Sequence, residues 1–119
     1  MTVLHLPLPP NLGNARMHWR TKGKAKKDYY DDCDLLQLVG TISKPPADPI
    51  ERCYIAAHFK LHQASDWDNL GARLKFAFDW LTTRGYIVDD GPHVIIECPV
   101  ITQSIDRKKK RLVLSITPL

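Results

Sequence analysis

Four aspartates of this chain form two close pairs, Asp66 with Asp68 and Asp89 with Asp90, and Asp79 lies between the pairs. Hard divalent cations such as Mg²⁺ or Mn²⁺ take oxygen ligands, so carboxylates converging from separate elements are what a protein contributes to such a site. A cation held there would neutralise a phosphodiester and lower the pKa of a coordinated water, which then attacks phosphorus in line. Lys75, in the same stretch, could stabilise the developing negative charge or orient the water. A structural reading competes with this one. Asp66 or Asp68 can cap a helix, and Lys75 with Asp79 can form a solvated i,i+4 pair stabilising by only a few tenths of a kcal/mol. A cap explains one aspartate and leaves two pairs unexplained, so the residues alone keep both readings open.

The elements that must position these side chains follow from periodicity. Residues 66–84 form an expected helix. At about 100° per residue, Lys75 and Asp79 fall within about 20° of Asp68, while Leu70, Leu74, Ala77 and Leu81 gather on the opposite side with Trp67 and Phe78 beside them. Core packing is the expected role of Trp67, ahead of stacking on DNA. Gly85 stands where a C-terminal cap belongs. Upstream, Tyr29, Cys33, Leu36 and Val39 recur at the spacing of one helical face over residues 24–39. Cys53, Ile55, Ala57, Phe59 and Leu61 alternate with polar or small residues, the pattern of a strand with one buried face. His58 and His62 lie on its polar side, which favours exposed histidines over a metal pair.

Residues 2–8 read as a first strand, stopped by Pro9-Pro10, and residues 11–23 as a loop. Residues 86–88, 93–101 and 112–117 are further strand candidates. The order β-α-β-α-β-β predicts an α+β domain with a mixed sheet and two main helices, and 119 residues suit one domain spanning 1–119. No apolar run reaches the length of a membrane span and no signal-peptide layout opens the chain, so a cytoplasmic protein is expected. Cys33, Cys53 and Cys98 match neither a zinc motif nor a disulfide framework and are read as reduced and structural.

The net charge of +4 is unevenly distributed. Residues 1–30 carry six basic side chains against Asp28, and residues 91–119 carry five, all within 107–111, against Glu97 and Asp106. The acidic stretch lies between them. Basic segments around a carboxylate cluster suit a polyanion that approaches a cation, although an ordinary solvated surface has the same composition. Arg16, His18, Trp19 and Arg20, with Lys22 and Lys24 after them, combine charge with an aromatic ring and are candidate DNA contacts. Lys108, Lys109 and Lys110 are either further DNA contacts or a charged hairpin tip that discourages edge association.

The ordered set Asp66-Trp67-Asp68-Asn69-Leu70, then Lys75 to Leu81 as K-x-x-x-D-x-L, then Gly85 to Asp90 as G-x-x-x-D-D, resembles the signature of RusA-type Holliday junction resolvases. The opening Leu8-Pro9-Pro10-Asn11, followed by Asn14, Arg16, His18 and Trp19, is similar to that of phage members. The resemblance implies a Mg²⁺-dependent endonuclease, with Mn²⁺ as a possible substitute, encoded by a bacterium or phage. It implies a homodimer that cuts four-way DNA junctions, with no nucleotide cofactor and no membrane partner. Asp66, Asp68 and Asp90 match the family's metal-binding, catalytic aspartates, Asp89 the neighbour of the last, and Lys75 the catalytic lysine. One departure stands out: Lys75 follows Asp68 by seven residues, where the best-known members have four. The three added residues return to nearly the same helical face but advance by about 4.5 Å.

Overall fold

The alternation in residues 53–61 becomes the central strand of the protein. The computed structural model describes residues 1–11 and 19–119, and the side chains of Trp19 and Arg20 are not among the features described. The elements run β1 (Thr2–Leu6), α1 (Trp19–Leu38), β2 (Cys53–Leu61), α2 (Trp67–Thr83), β3 (Val100–Ile105) and β4 (Arg111–Pro118). This is the expected α+β order. The sheet is mixed, with strand order β1-β4-β2-β3. β4 lies antiparallel to both β1 and β2, and β2 lies parallel to β3. A parallel neighbour requires a crossover, and α2 supplies it between β2 and β3.

Each strand turns one parity inward. Leu4 and Leu6 of β1, Leu112, Leu114 and Ile116 of β4, and the odd-numbered residues of β2 from Cys53 to Leu61 are buried. They pack into one cluster with Leu70, Leu74, Ala77, Trp80 and Leu81 of α2 and with Tyr29 and Cys33 of α1. The helices therefore cover one face of the sheet and the other face stays open. Removing this much apolar surface from water is the main driving force for the fold. Trp80, fully buried, stacks obliquely on Tyr86 at 5.2 Å and donates its indole N–H to Asp34 Oδ1 of α1 at 2.9 Å. Arg84 closes the same carboxylate in a fork, Nε to Oδ1 at 2.8 Å and Nη2 to Oδ2 at 2.7 Å, which ties α1 to the end of α2. This pairing holds the Asp34 carboxyl below its ordinary range. Gly85 follows with φ +83°, a left-handed turn that glycine adopts without strain.

Several boundaries differ from the sequence reading. α1 begins at Trp19 rather than Lys24 and runs through Gly23, and Val39, read as part of its buried face, is 64% exposed just beyond its end. Residues 86–88 make one bridge, Ile87 to Ile50, rather than a strand. Residues 93–99 are not strand either: the Val94 and Ile95 amides donate to the Gly91 carbonyl in a turn, so only the Ile95 to Cys53 bridge forms before β3 starts at Val100. Cys33 and Cys53 are buried, while Cys98 is exposed and plays no part in the core. No helix among the described residues is long and apolar enough to cross a membrane.

Candidate active site

Helix α2 and the turn after it carry the site. Asp66 is the N-cap of α2 in extended conformation, yet its side chain makes no capping hydrogen bond, and Asp68 lies in the first turn. The cap explanation thus fails for the side chain of Asp66; only its carbonyl is used, by the Leu70 amide. Both carboxylates are exposed, and among the described residues neither enters an ion pair. Favourable interaction with the positive end of the helix is available to both.

The chain reaches Asp66 under tight control. Gln103 of β3 points inward and grips Ser65 from both sides: the Ser65 amide donates to Gln103 Oε1 at 2.9 Å, and Gln103 Nε2 donates to the Ser65 carbonyl at 3.0 Å. The Asp106 amide donates to the Leu61 carbonyl at 2.8 Å, fastening the start of the same connection. Sequence reasoning missed Gln103. The one available signal was a polar residue at an inward parity of a strand.

The second aspartate pair sits between two parallel bridges. Ile87 and Ile95 both pair with the segment entering β2, at Ile50 and Cys53, so the intervening turn of Asp89, Asp90 and Gly91 is pinned at each end. Asp89 Oδ1 accepts the Asp90 amide at 2.8 Å, and its Oδ2 lies 3.4 Å from His93 Nε2. Gly91 packs so closely beneath that a β-carbon there would meet the His93 ring at 2.9 Å and Asp89 Oδ2 at 3.2 Å.

Lys75 ties α2 to the second aspartate pair. Its ammonium donates to Asp90 Oδ2 at 2.9 Å and lies 3.0 Å from Asp79 Oδ1. Asp79 also receives Lys26 of α1 at 3.7 Å, and that ammonium lies 5.6 Å from the Tyr30 ring centre. The Lys75 pKa is raised well above its ordinary value by the hydrogen bonds to Asp90 and then Asp79, and the same bond to Lys75 holds Asp90 below the ordinary carboxylate range. Lys26 was read only as part of a basic stretch and Asp79 only as the solvated partner of Lys75; together they form an alternating chain of charges across α1, α2 and the aspartate turn.

The structure thus brings Asp90, Lys75, Asp79 and Lys26 together. It does not place Asp66 or Asp68 in contact with them. Lys75 lies seven residues, about 10 Å of helix axis, beyond Asp68, and its ammonium leans toward the following turn. Among the described residues no three His, Cys, Asp or Glu side chains are grouped as a metal site. The donor chemistry, oxygen ligands at Asp66, Asp68, Asp89 and Asp90, still suits a hard divalent cation.

The flanking basic residues fall on two sides. Lys22 and Lys24 are exposed on α1, with Lys22 one turn before Lys26 on the same face. Lys108, Lys109 and Lys110 are exposed in the β3–β4 turn, at the end of the sheet from which the chain runs to Asp66. Asp106 Oδ1 holds that turn by accepting the amides of Lys108 and Lys109, each at 3.1 Å. Arg16 and His18 lie outside the described residues, as do the side chains of Trp19 and Arg20. Trp67 is 58% exposed, against the expectation of core packing: it is the first residue of α2, a turn ahead of Leu70, where burial begins. In sequence it stands between the two exposed aspartates. Arg73, close to Lys75 in sequence, is turned away to structure, donating Nε to the Pro9 carbonyl at 2.8 Å. No protein-family model matches the chain, and a search of curated proteins finds no match.

Proposed function

We propose that the protein is a divalent-metal-dependent DNA endonuclease of the RusA type that resolves four-way junctions. The observation that supports this reading is the Lys75–Asp90 contact at 2.9 Å, which joins the middle and the last segment of the resolvase-like motif across fifteen residues of sequence. Asp66, Asp68 and Asp90, with Asp89 beside it, are the residues that would hold Mg²⁺ or Mn²⁺. A cation bound there supplies charge neutralisation at the phosphate and a more acidic water. The chain supplies the rest. Lys75 sets a positive charge at the aspartate turn, where charge develops on the phosphoryl oxygens. Gln103 and the two parallel bridges fix the backbones that carry the carboxylates. Lys22, Lys24 and the Lys108–Lys110 turn attract the DNA backbone.

A second reading is favoured by a specific observation: Asp90 is already neutralised by Lys75, and the Asp66–Asp68 pair makes no contact with it, as suits a DNA-binding protein that does not cleave. One assay separates the two. Purified protein is incubated with a synthetic four-way junction or a matched linear duplex in Mg²⁺, Mn²⁺ or EDTA. The nuclease makes paired nicks in opposing strands of the junction with metal and none in EDTA; the binding protein retains the junction in all three and cuts it in none. Because a junction offers two symmetry-related strands, resolution calls for a twofold dimer with one aspartate set per subunit. Mixed wild-type and Asp68→Asn subunits should then nick a single strand.

A further inference from the structure

The open face of the sheet, opposite the helices, carries a second cluster. His58 of β2 lies directly opposite Thr102 of β3, and Lys60 opposite Ser104. The His58 ring is held at both nitrogens, with Nδ1 2.6 Å from Thr102 Oγ1 and Nε2 2.9 Å from Ser104 Oγ. Thr102 and Ser104 are exposed and belong to an edge strand. None of the side chains that the four strands turn to this face is a carboxylate. The charged and titratable groups around His58 are Lys60 on its own strand, Arg111 of β4 opposite Lys60, and His5 of β1 beyond Val113. Arg111 is paired with Asp106 at 3.4 Å, so Lys60 is the cation on this face without an ion-pair partner among the described residues.

The proton inventory gives the cluster a sign. A neutral imidazole has one N–H and one acceptor nitrogen, so one hydroxyl must spend its proton on the ring. An imidazolium donates from both nitrogens, both hydroxyls become acceptors, and both hydroxyl protons turn outward. The doubly donating form therefore presents two O–H groups, one imidazolium and the Lys60 ammonium together, a set that complements the oxygens of a phosphate.

We propose that His58, Thr102, Ser104 and Lys60 form a phosphate-binding subsite that takes a backbone phosphate of a DNA strand laid across the open sheet face. The outward side chains of the strands carry no carboxylate, those of Glu97 and the Arg111-paired Asp106 standing at the borders of the face, and with the exposed Lys108–Lys110 turn at the same end of the sheet this favours a polyanionic strand over a free phosphate. The subsite needs no metal, so it stands or falls separately from the nuclease reading.

The test is fluorescence anisotropy of a labelled oligothymidylate in EDTA, with inorganic phosphate as competitor, on wild-type protein and on Lys60→Ala, Ser104→Ala and His58→Gln, each checked for a wild-type unfolding transition. The proposal expects about tenfold weaker binding for each variant, and for Lys60→Ala a salt dependence shallower by about one unit of log–log slope, as one phosphate contact is lost. Oligonucleotide binding equal to wild type in the folded variants overturns the subsite. Displacement of the oligonucleotide by inorganic phosphate at comparable concentration overturns the assignment to a strand.

Discussion

Replacing Lys75 with alanine should separate chemistry from stability. The lysine side chain is 66% exposed and meets Asp90 and Asp79, themselves 22% and 25% exposed. Pairs this open to solvent contribute roughly 0.2–1 kcal/mol each, and alanine is the better helix former, so the net loss of stability should stay below about 1 kcal/mol. In a domain of this size that lowers Tm by no more than about 4 °C. Loss of a group that stabilises transition-state charge costs at least about a hundredfold in rate, or about 2.7 kcal/mol. Arg73→Ala should behave in the opposite way. Its guanidinium is partly buried on the Pro9 carbonyl, so stability falls by about 1–3 kcal/mol while the rate of the folded fraction stays near wild type. Urea unfolding and single-turnover cleavage of a junction measure both quantities for both variants. Manganese affinity is a third readout and should not fall in Lys75→Ala, because removing a cation beside Asp90 leaves the carboxylate freer. Wild-type cleavage by Lys75→Ala together with a hundredfold loss in Arg73→Ala would refute the assignment and make Arg73 the cation that serves the phosphate.

Three further outcomes follow from the same contacts. Asp34→Asn should cost about 1–2 kcal/mol at neutral pH. Because the Asp34 carboxyl titrates below its ordinary range, that contribution is present above the unfolded value near about 4 and is lost as pH falls through the lower folded value; urea unfolding at pH 7 and pH 2 should show the wild-type advantage shrinking, and a constant difference would contradict the role of its charge. Gln103→Ala removes both bonds to Ser65, so cleavage should drop about tenfold with the fold intact, whereas an unchanged rate in a folded protein would show that the approach to Asp66 needs no clamp. A thiol reagent at neutral pH should label Cys98 quickly and Cys33 and Cys53 only on unfolding, since burial pushes the Cys33 thiol up to about 12 and raises that of Cys53; two or three fast thiols by mass spectrometry would contradict the packing.

The parts of the fold that sequence reveals are those written in local periodicity. The strict alternation of β2 buries the residues expected, the apolar arc of α2 does so for all but Trp67, and Gly85 ends α2 in the left-handed turn anticipated for it. Periodicity misled where local hydrogen bonds intervene. The apolar run Val94-Ile95-Ile96 looks like a strand, but its first two amides close a turn on Gly91, and the ladder falls instead to the more polar Val100–Ile105. The loop expected over residues 11–23 gives way to α1 from Trp19 onward, and the helix tolerates Gly23 because one glycine costs only about 1 kcal/mol relative to alanine. At the site, the aspartates and Lys75 were visible as residue types. Asp79 was visible as the i,i+4 partner of Lys75, but Lys26 and Gln103 were not, because their contacts come from tertiary packing between elements far apart in the chain.

Single-turnover cleavage of a four-way junction by Asp68→Asn, set beside wild type over a range of Mg²⁺ concentrations, tests the central claim most directly. An amide has the shape of the carboxylate and is a poor ligand for a hard cation. The account predicts that the folded variant still binds the junction, at wild-type affinity or tighter, and does not cut it at any Mg²⁺ concentration. Cleavage by the folded variant near the wild-type rate across that range would remove Asp68 from the site and contradict the metal-dependent mechanism built on it.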